Sequence, residues 1–394
     1  MRPSLDLIVV GAGIQGAGVA EAAAAAGHSV LVLEQAAAPA AATSSRSSKL
    51  IHGGLRYLEH GDFALVRRCL AARRRLLRLA PHRVRLLPFF LPVYDDSPRG
   101  PLVLRLGLLL YDVLAMGGAP RHRRLPRAAH AECLPLRQDG LLAVFRYYDA
   151  ATDDAALTRS VLESAQRLGA RALFEARFEG AEWGDAGVKV HWREAGGARR
   201  TLDAAALVLA TGPWIERSLA GLRPPLAAPP LEYVQGSHIV LCGELGERAY
   251  YLQAPDGRGV FVAPWRGRLL VGTTERPYAG DPAAVRPGAD EIEELLGVFN
   301  HHFPGFYGGR AAGASDVLEA FAGLRVLPAG RGATAARSRR PLLWTDPNPV
   351  PRVLAVCGGK LTLYHETAEA ALQRLGRALP ARPRRADLDR LPLP

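Results

Sequence analysis

Residues 7–34 restrict the possible folds of this chain more than any other stretch. Leu7-Ile-Val-Val10 is a short unbroken apolar run, and Gly11-Ala-Gly13-Ile-Gln-Gly16 follows at once. An Ala-rich segment from Ile14 to Ala26 reads as a helix ended by Gly27; Ser29–Leu33 reads as a second strand, closed by Glu34. An unbroken apolar run is what a parallel strand covered on both faces needs. The glycines give a tight turn and let helix and strand pack closely. The helix N-terminus faces a pyrophosphate, and the acid at the end of the second strand accepts ribose hydroxyls. Gly11, Gly13, Gly16 and Glu34 are therefore cofactor-binding candidates in an α/β, Rossmann-like domain.

The 394 residues suffice for two or three domains, and 48% apolar with 22% charged residues is the composition expected of a soluble globular protein. The formal net charge of +12 is carried almost wholly by Arg, since the lysines are Lys49, Lys189 and Lys360. A basic surface can attract nucleic acid, anionic lipid or an anionic substrate. No helix-turn-helix, RNP motif or zinc spacing accompanies it, so nucleic acid is set aside. Cys69, Cys133, Cys242 and Cys357 form no C-x-x-C pair. That argues against a disulfide framework or a Cys-rich metal site and suits a reducing compartment. The start is read as carrying no signal peptide. The expected location is cytoplasmic, with a peripheral seat on the cytoplasmic face of a membrane as the refinement.

Further along, Phe63–Ala80 has a helical apolar pattern with arginines mostly opposite, and Pro81 ends it. Its basic face reads as solvated, with a membrane-surface face as the sharper alternative. Leu102–Met116 is strongly apolar but holds Arg105 and Asp112, and it is too short to span a bilayer. Burial is the expectation, and a shallow dip into a membrane is the alternative. Asp153 or Asp154 suits the N-cap of a helix over 155–168. Gly187–Arg193 alternates, turns at Gly196–Gly197 and pairs back; Ala205–Ala210 is another buried strand. His238–Leu241, Tyr250–Gln253, Val260–Trp265 and Leu269–Thr273 are short alternating runs with turns between them, which predicts an antiparallel sheet. Glu291–Phe303 reads as a helix and Val353–Val356 as a last strand. Residues from about Pro380 onward are Arg- and Pro-rich and read as a disordered tail.

Thr43–His60, TSSRSSKLIHGGLRYLEH, follows the second strand where an NAD protein continues with further βα units. It is polar and marked by Gly53–Gly54. Such a stretch makes a poor core element and a good ligand wall, with hydroxyls and backbone N–H groups for phosphates. A plain Ser-rich loop is the bland alternative. Taken with VVGAGIQGAG, LVLEQ, YYDAATDD, ATGPW, GSHIVL, VGTTERPYAGDP, Gly323-Leu-Arg325 and GGKLT, it resembles the FAD-dependent glycerol-3-phosphate dehydrogenases. The resemblance runs from Leu7 to about Arg374 and looks like a short form without that family's C-terminal helical domain. Val326 replaces a usual Pro, Arg340 stands where Asp is frequent, and Glu275 likewise.

The resemblance implies a discontinuous FAD-binding domain and an antiparallel-sheet α+β substrate domain. The expected division gives residues 1–90, 149–218 and 351–379 to the cofactor part. Residues 91–148 and 219–350 go to the substrate part, and 380–394 to the tail. It also implies FAD contacts from Thr43, Ser44, Ser45, Ser48, Lys49, Leu50, His52, Gly53 and Gly54. Thr211, Gly212, Gly358, Gly359, Lys360, Leu361 and Thr362 complete that set. The implied substrate is glycerol 3-phosphate, held by Arg56, Arg325 and Lys360 with Tyr57 donating a hydrogen bond and Arg339 nearby. Hydride would pass from C2 to the flavin, and the electrons on to a quinone or another acceptor.

Histidine titrates in the working range, so His238 is the first candidate base and His52 the second, while Arg325 can also stabilise an alkoxide. No metal is expected. Two competing readings stay open: an FAD enzyme acting on another small anionic hydroxy or amino metabolite, and a flavin-binding scaffold without turnover. Oligomeric state is left open.

Overall fold

In the computed structural model, residues 4–127, 136–330 and 341–394 are described. The N-terminal half places β1 (Leu5–Val10), α1 (Ile14–Ala25), β2 (Val30–Leu33), β3 (Leu50–Ile51), α2 (Phe63–Leu79) and β4 (Val84–Tyr94) in that order. There follow α3 (Pro101–Ala115), β5 (Arg123–Arg124), β6 (Leu141–Thr152), α4 (Asp154–Arg167), β7 (Arg171–Leu173), β8 (Arg177–Gly184), β9 (Gly187–Arg193) and β10 (Arg199–Leu209). The C-terminal half adds α5 (Ile215–Ala220), β11 (Leu222–Arg223), β12 (Leu231–Leu241), β13 (Ala249–Gln253), β14 (Gly259–Pro264), β15 (Leu269–Gly272) and β16 (Arg276–Tyr278). It ends with α6 (Ala289–His302), β17 (Val317–Pro328), β18 (Leu342–Thr345), β19 (Val353–Cys357) and α7 (Tyr364–Leu375).

Two sheets organise these elements. In the first, β7, β2, β1, β10 and β19 run parallel in that spatial order. The N-terminal half of β10 leaves this layer to pair antiparallel with β9. α1, α4 and α7 share one apolar core on one face of the sheet. α1 can sit there because it is nearly all Ala, Gly and Val, so its whole circumference is buried and its backbone approaches closely. The second sheet runs β16-β12-β15-β14-β13-β4-β6-β3, with β17 beside β12. Its pairings are antiparallel apart from β13 with β4. α2 and α3 share a core on one side and α6 on the other.

The expected helices appear within a residue or two, and the expected strands appear, with β10 and β12 beginning six and seven residues earlier than Ala205 and His238, but three expectations change. β3 and most of β4 lie inside residues 1–90, and β18 inside 219–350, yet each pairs in the other part's sheet. Pairing follows register with a distant partner, which local pattern does not report.

The segment 380–394 is docked, not frayed. Leu388 and Leu393 are buried in the α1–α4–α7 core, Arg382 forks onto both oxygens of Asp6 at 2.8 and 3.1 Å, and Leu393 N–H donates to Leu79 at 2.9 Å. Its Arg and Pro content hid a few apolar anchors. The third change concerns α3, which was expected to be buried. It buries Leu104, Leu108, Tyr111 and Ala115 but leaves Leu102, Val103, Leu106, Leu109, Val113 and the following Met116 exposed.

Candidate active site

One large cavity, about 1070 Å³, opens between the two sheets. It lies just above the ~300–1,000 Å³ of small-molecule pockets, a size for a dinucleotide rather than a lone metabolite. Its first end is made by β1, α1 and β2. Gly11 has φ +102°, donates its N–H to Leu33 at 2.8 Å, and would set any Cβ 2.5 Å from the Ala210 carbonyl. Gly16 is pressed against the Gly11 carbonyl, so it serves helix packing and does not line the cavity. No side chain caps α1 at Gly13; instead Ile14 N–H donates to Ser44 Oγ at 2.9 Å. Glu34 accepts from the Ala12 and Ala36 amides at 2.7 and 2.9 Å, which fixes its carboxylate at the cavity edge. Each of its oxygens retains acceptor capacity for a hydroxyl.

The polar loop is split between two jobs. Thr43, Ser44, Ser48, Leu50, His52 and Gly54 line the cavity, and so do Thr211, Gly212, Gly358, Gly359, Lys360, Leu361 and Thr362. Ser45, Lys49 and Gly53 do not. Lys49 is buried and turned away: its Nζ donates to Asp154 Oδ1 at 2.7 Å and to the Ser45 carbonyl at 2.8 Å. Asp154 also accepts from Ser47 N–H at 3.0 Å and from Ser47 Oγ at 2.7 Å. A buried ammonium needs a paired, hydrogen-bonded partner, and Asp154 supplies it. Lys49 thus ties the loop to α4.

At the second end, charged side chains converge. Arg56 and Arg325 both point an Nη1 at Glu275 Oε1, at 3.2 and 3.3 Å. Arg325 also donates to Thr273 Oγ1 at 3.0 Å. Lys360 Nζ lies 4.2 Å from the centroid of the Tyr57 ring, and the Arg56 guanidinium carbon 5.5 Å from the same ring. Arg56, Tyr57, Arg325 and Lys360 are therefore neighbours, although they are scattered through the sequence. Arg339 and Arg340 lie outside the described residues.

The two histidines differ. His238 is buried in β12, hydrogen-bonds Ser48 Oγ through Nε2 at 2.9 Å and stacks on Phe321 with centroids 5.1 Å apart. Burial, then the Arg325 and Lys49 cations, push its pKa well below the ordinary imidazole range. His52 lines the cavity and meets the edge of Phe261 at 5.8 Å. Among the described residues no cluster of ligating side chains could hold a metal ion.

Glu275, Thr273, Tyr251 and Phe261 are lining residues that the sequence reading did not nominate. Tyr251 and Phe261 are register partners on β13 and β14. Their alternation signals a strand face; only the fold aims that face at the cavity.

The FAD dependent oxidoreductase family model matches residues 6–374. The glycerol-3-phosphate dehydrogenase of Pseudomonas aeruginosa is 39% identical over 94% of this chain and 71% of that protein. This chain belongs to the FAD-dependent glycerol-3-phosphate dehydrogenase family. It is also similar to the D-erythritol 1-phosphate dehydrogenase of Brucella abortus, 36% identical over 95% of this chain and 74% of that one. Among solved structures, the Bacillus halodurans glycerol-3-phosphate dehydrogenase with FAD has a TM-score of 0.72 and 25% identity, covering 99% of this chain and 67% of that chain.

FAD suits the first end of the cavity on its own geometry. The space beside Gly11 admits no Cβ, the α1 N-terminus lacks a side-chain cap of its own, and Glu34 is fixed at the far edge. These supply close approach, N–H donors for a pyrophosphate and acceptors for ribose hydroxyls.

Proposed function

We propose that the enzyme oxidises sn-glycerol 3-phosphate to dihydroxyacetone phosphate and passes the electrons to a quinone. The observation that carries this reading is the shared focus of Arg56 and Arg325 on one carboxylate oxygen, with Lys360 beside Tyr57. Three cations around one lining position, one of them countered by Glu275, match a phosphate dianion. Guanidinium forks suit its oxygens and the ammonium adds a point charge.

Bound FAD supplies a two-electron acceptor for hydride. The residues do the rest. Arg56, Arg325 and Lys360 hold the phosphate, and Arg325 steadies negative charge as the C2 hydroxyl gives up its proton. His52 takes that proton. His238 is the weaker base, because an imidazole held far below its ordinary pKa has little affinity for a proton at neutral pH. We assign His238 to orienting Ser48 within the cofactor loop.

The exposed side of α3 supports a seat on an anionic membrane, where a quinone is found. Leu102, Val103, Leu106, Leu109, Val113 and Met116 are exposed there, with Arg105, Arg121, Arg123 and Arg124 also exposed. Apolar side chains entering a bilayer rimmed by cations that meet anionic headgroups is the pattern of an interfacial helix. No helix of the described residues is long and apolar enough to cross a membrane.

Anaerobic addition of glycerol 3-phosphate to the holoenzyme should bleach the oxidised flavin absorbance. A flavin that stays oxidised sinks the reading. A panel of hydroxy acids, amines and other polyol phosphates then tests the competing reading that a different small anion is the substrate.

A further inference from the structure

Arg73, Asp149 and Tyr111 form a buried polar cluster that the mechanism above does not use. They come from three elements, α2, β6 and α3, and are 1%, 3% and 2% exposed. Arg73 Nη1 donates to Asp149 Oδ1 at 2.5 Å and to the Tyr148 carbonyl at 2.8 Å. Tyr111 Oη donates to Asp149, 2.7 Å from Oδ2 and 2.9 Å from Oδ1. The same Tyr111 oxygen accepts the Gly53 N–H at 2.9 Å, with Asp149 Oδ1 at 3.4 Å from that nitrogen. A Cβ at Gly53 would lie 2.5 Å from Tyr111 Oη, so the close approach depends on glycine.

Burying a guanidinium–carboxylate pair rarely gains stability over an apolar core of the same shape. Its use here is geometric. The Gly53 N–H is aimed into the cluster, and in a trans peptide the carbonyl of the preceding residue points the other way. That preceding residue is His52, which lines the cavity. Asp149 itself reaches the cavity wall, while Tyr111 and Arg73 lie behind it, and together they set the plane of the His52–Gly53 peptide.

We propose that Tyr111, Asp149 and Arg73 are positioning residues. They hold the Gly53 amide so that the His52 edge of the flavin site keeps its orientation toward the ring and the carbinol. The inference rests on the flavin reading of the cavity. It adds that α3, the helix with the exposed apolar face, also contributes a fixed hydrogen bond to the active-site loop.

The test uses purified holoenzyme of wild type, Tyr111→Phe and Asp149→Asn, with Leu142→Ser, exposed on β6, as a control. Three quantities are read: the flavin midpoint potential by dye equilibration, the anaerobic flavin reduction rate, and KM. Losing one hydrogen bond should slow reduction by Tyr111→Phe about tenfold. The midpoint potential should shift, while KM and the melting temperature stay close to wild type. Leu142→Ser should leave all of these unchanged. A folded holoenzyme of either variant with wild-type potential and reduction rate overturns the proposal. So does loss of the folding transition in both variants, which would make the cluster structural. If glycerol 3-phosphate does not reduce the wild type, the proposed function fails. The potential needs no substrate and still tests the positioning unit.

Discussion

The two ends of the cavity are built from different materials. The end at β1 and α1 is mostly backbone: glycines, a helix N-terminus whose one side-chain partner is borrowed from Ser44, and a carboxylate tied to two amides. The end at β12 and β17 is mostly charge, with Arg56, Arg325 and Glu275 in contact and Lys360 close by. Backbone cannot be altered one group at a time, so the first end selects by shape. Side-chain charge can be, so the second end selects by chemistry. Buried ionisable groups behind the two ends differ in the same way. Lys49 and Asp154 form a direct pair, whereas Glu21 sits buried in α1, where burial pushes its carboxyl up to about 7 against the pull of Ser164 and Arg75.

Substitution at the charged end should have the largest effect. Arg325→Ala leaves Glu275 without one of its cations and takes a fork from the phosphate, at a cost of about 4 kcal/mol. The expected loss in kcat/KM is roughly a thousandfold, with flavin still bound at its usual stoichiometry. Loss of flavin from Arg325→Ala would blur the distinction between the two ends.

Glu21→Gln probes the neutral end. The folded-state pKa is raised, from 4.5 to about 7, so the native state holds a proton that the unfolded chain releases. Stability is therefore fullest below pH 4.5 and declines as pH rises to about 7, by about 3 kcal/mol if only this group acts. Melting curves should show Glu21→Gln gaining on wild type between pH 5 and pH 8. A constant difference across that range would mean that Glu21 stays ionised.

Gly11→Ala should lower stability while leaving the cations in place. A positive φ and a Cβ 2.5 Å from the Ala210 carbonyl cost about 2 kcal/mol of folding free energy. Urea unfolding of the holoenzyme and the apoprotein measures it. The smallest effect expected is that of Val113→Ser, which lies far from both ends on the exposed side of α3. It should weaken co-sedimentation with anionic vesicles about tenfold, since a buried Val side chain contributes about 1.5 kcal/mol. Turnover with a soluble dye should not change. Equal sedimentation of variant and wild type would remove α3 from the membrane reading.

Much of the cofactor end was legible because its signals are local. A strand, a G-x-G-x-x-G turn, an Ala-rich helix and Glu34 fall within 28 consecutive residues, and steric rules for glycine act at that range. Arg56, Lys360 and Arg325 could be nominated from resemblance, but the meeting of Arg56 and Arg325 at Glu275 joins positions 269 residues apart. The resemblance places Lys49 at the cofactor; in the fold its ammonium is held by Asp154.

The amino-acid sequence alone determined the Rossmann-like unit, because it follows from steric properties of adjacent residues, and the family resemblance added the flavin loop and the cations. Only the tertiary structure decided what those residues face. α1 and α3 are both rich in apolar side chains. α1 is enclosed by a sheet and two helices, while α3 meets the core along one side and keeps six large apolar groups, counting Met116, exposed. The tail is the converse case: its arginines and prolines suggested solvent, and a few leucines with one Arg382–Asp6 fork hold it against the core. Burial belongs to the pair of surfaces that meet, and a sequence pattern describes one of them at a time.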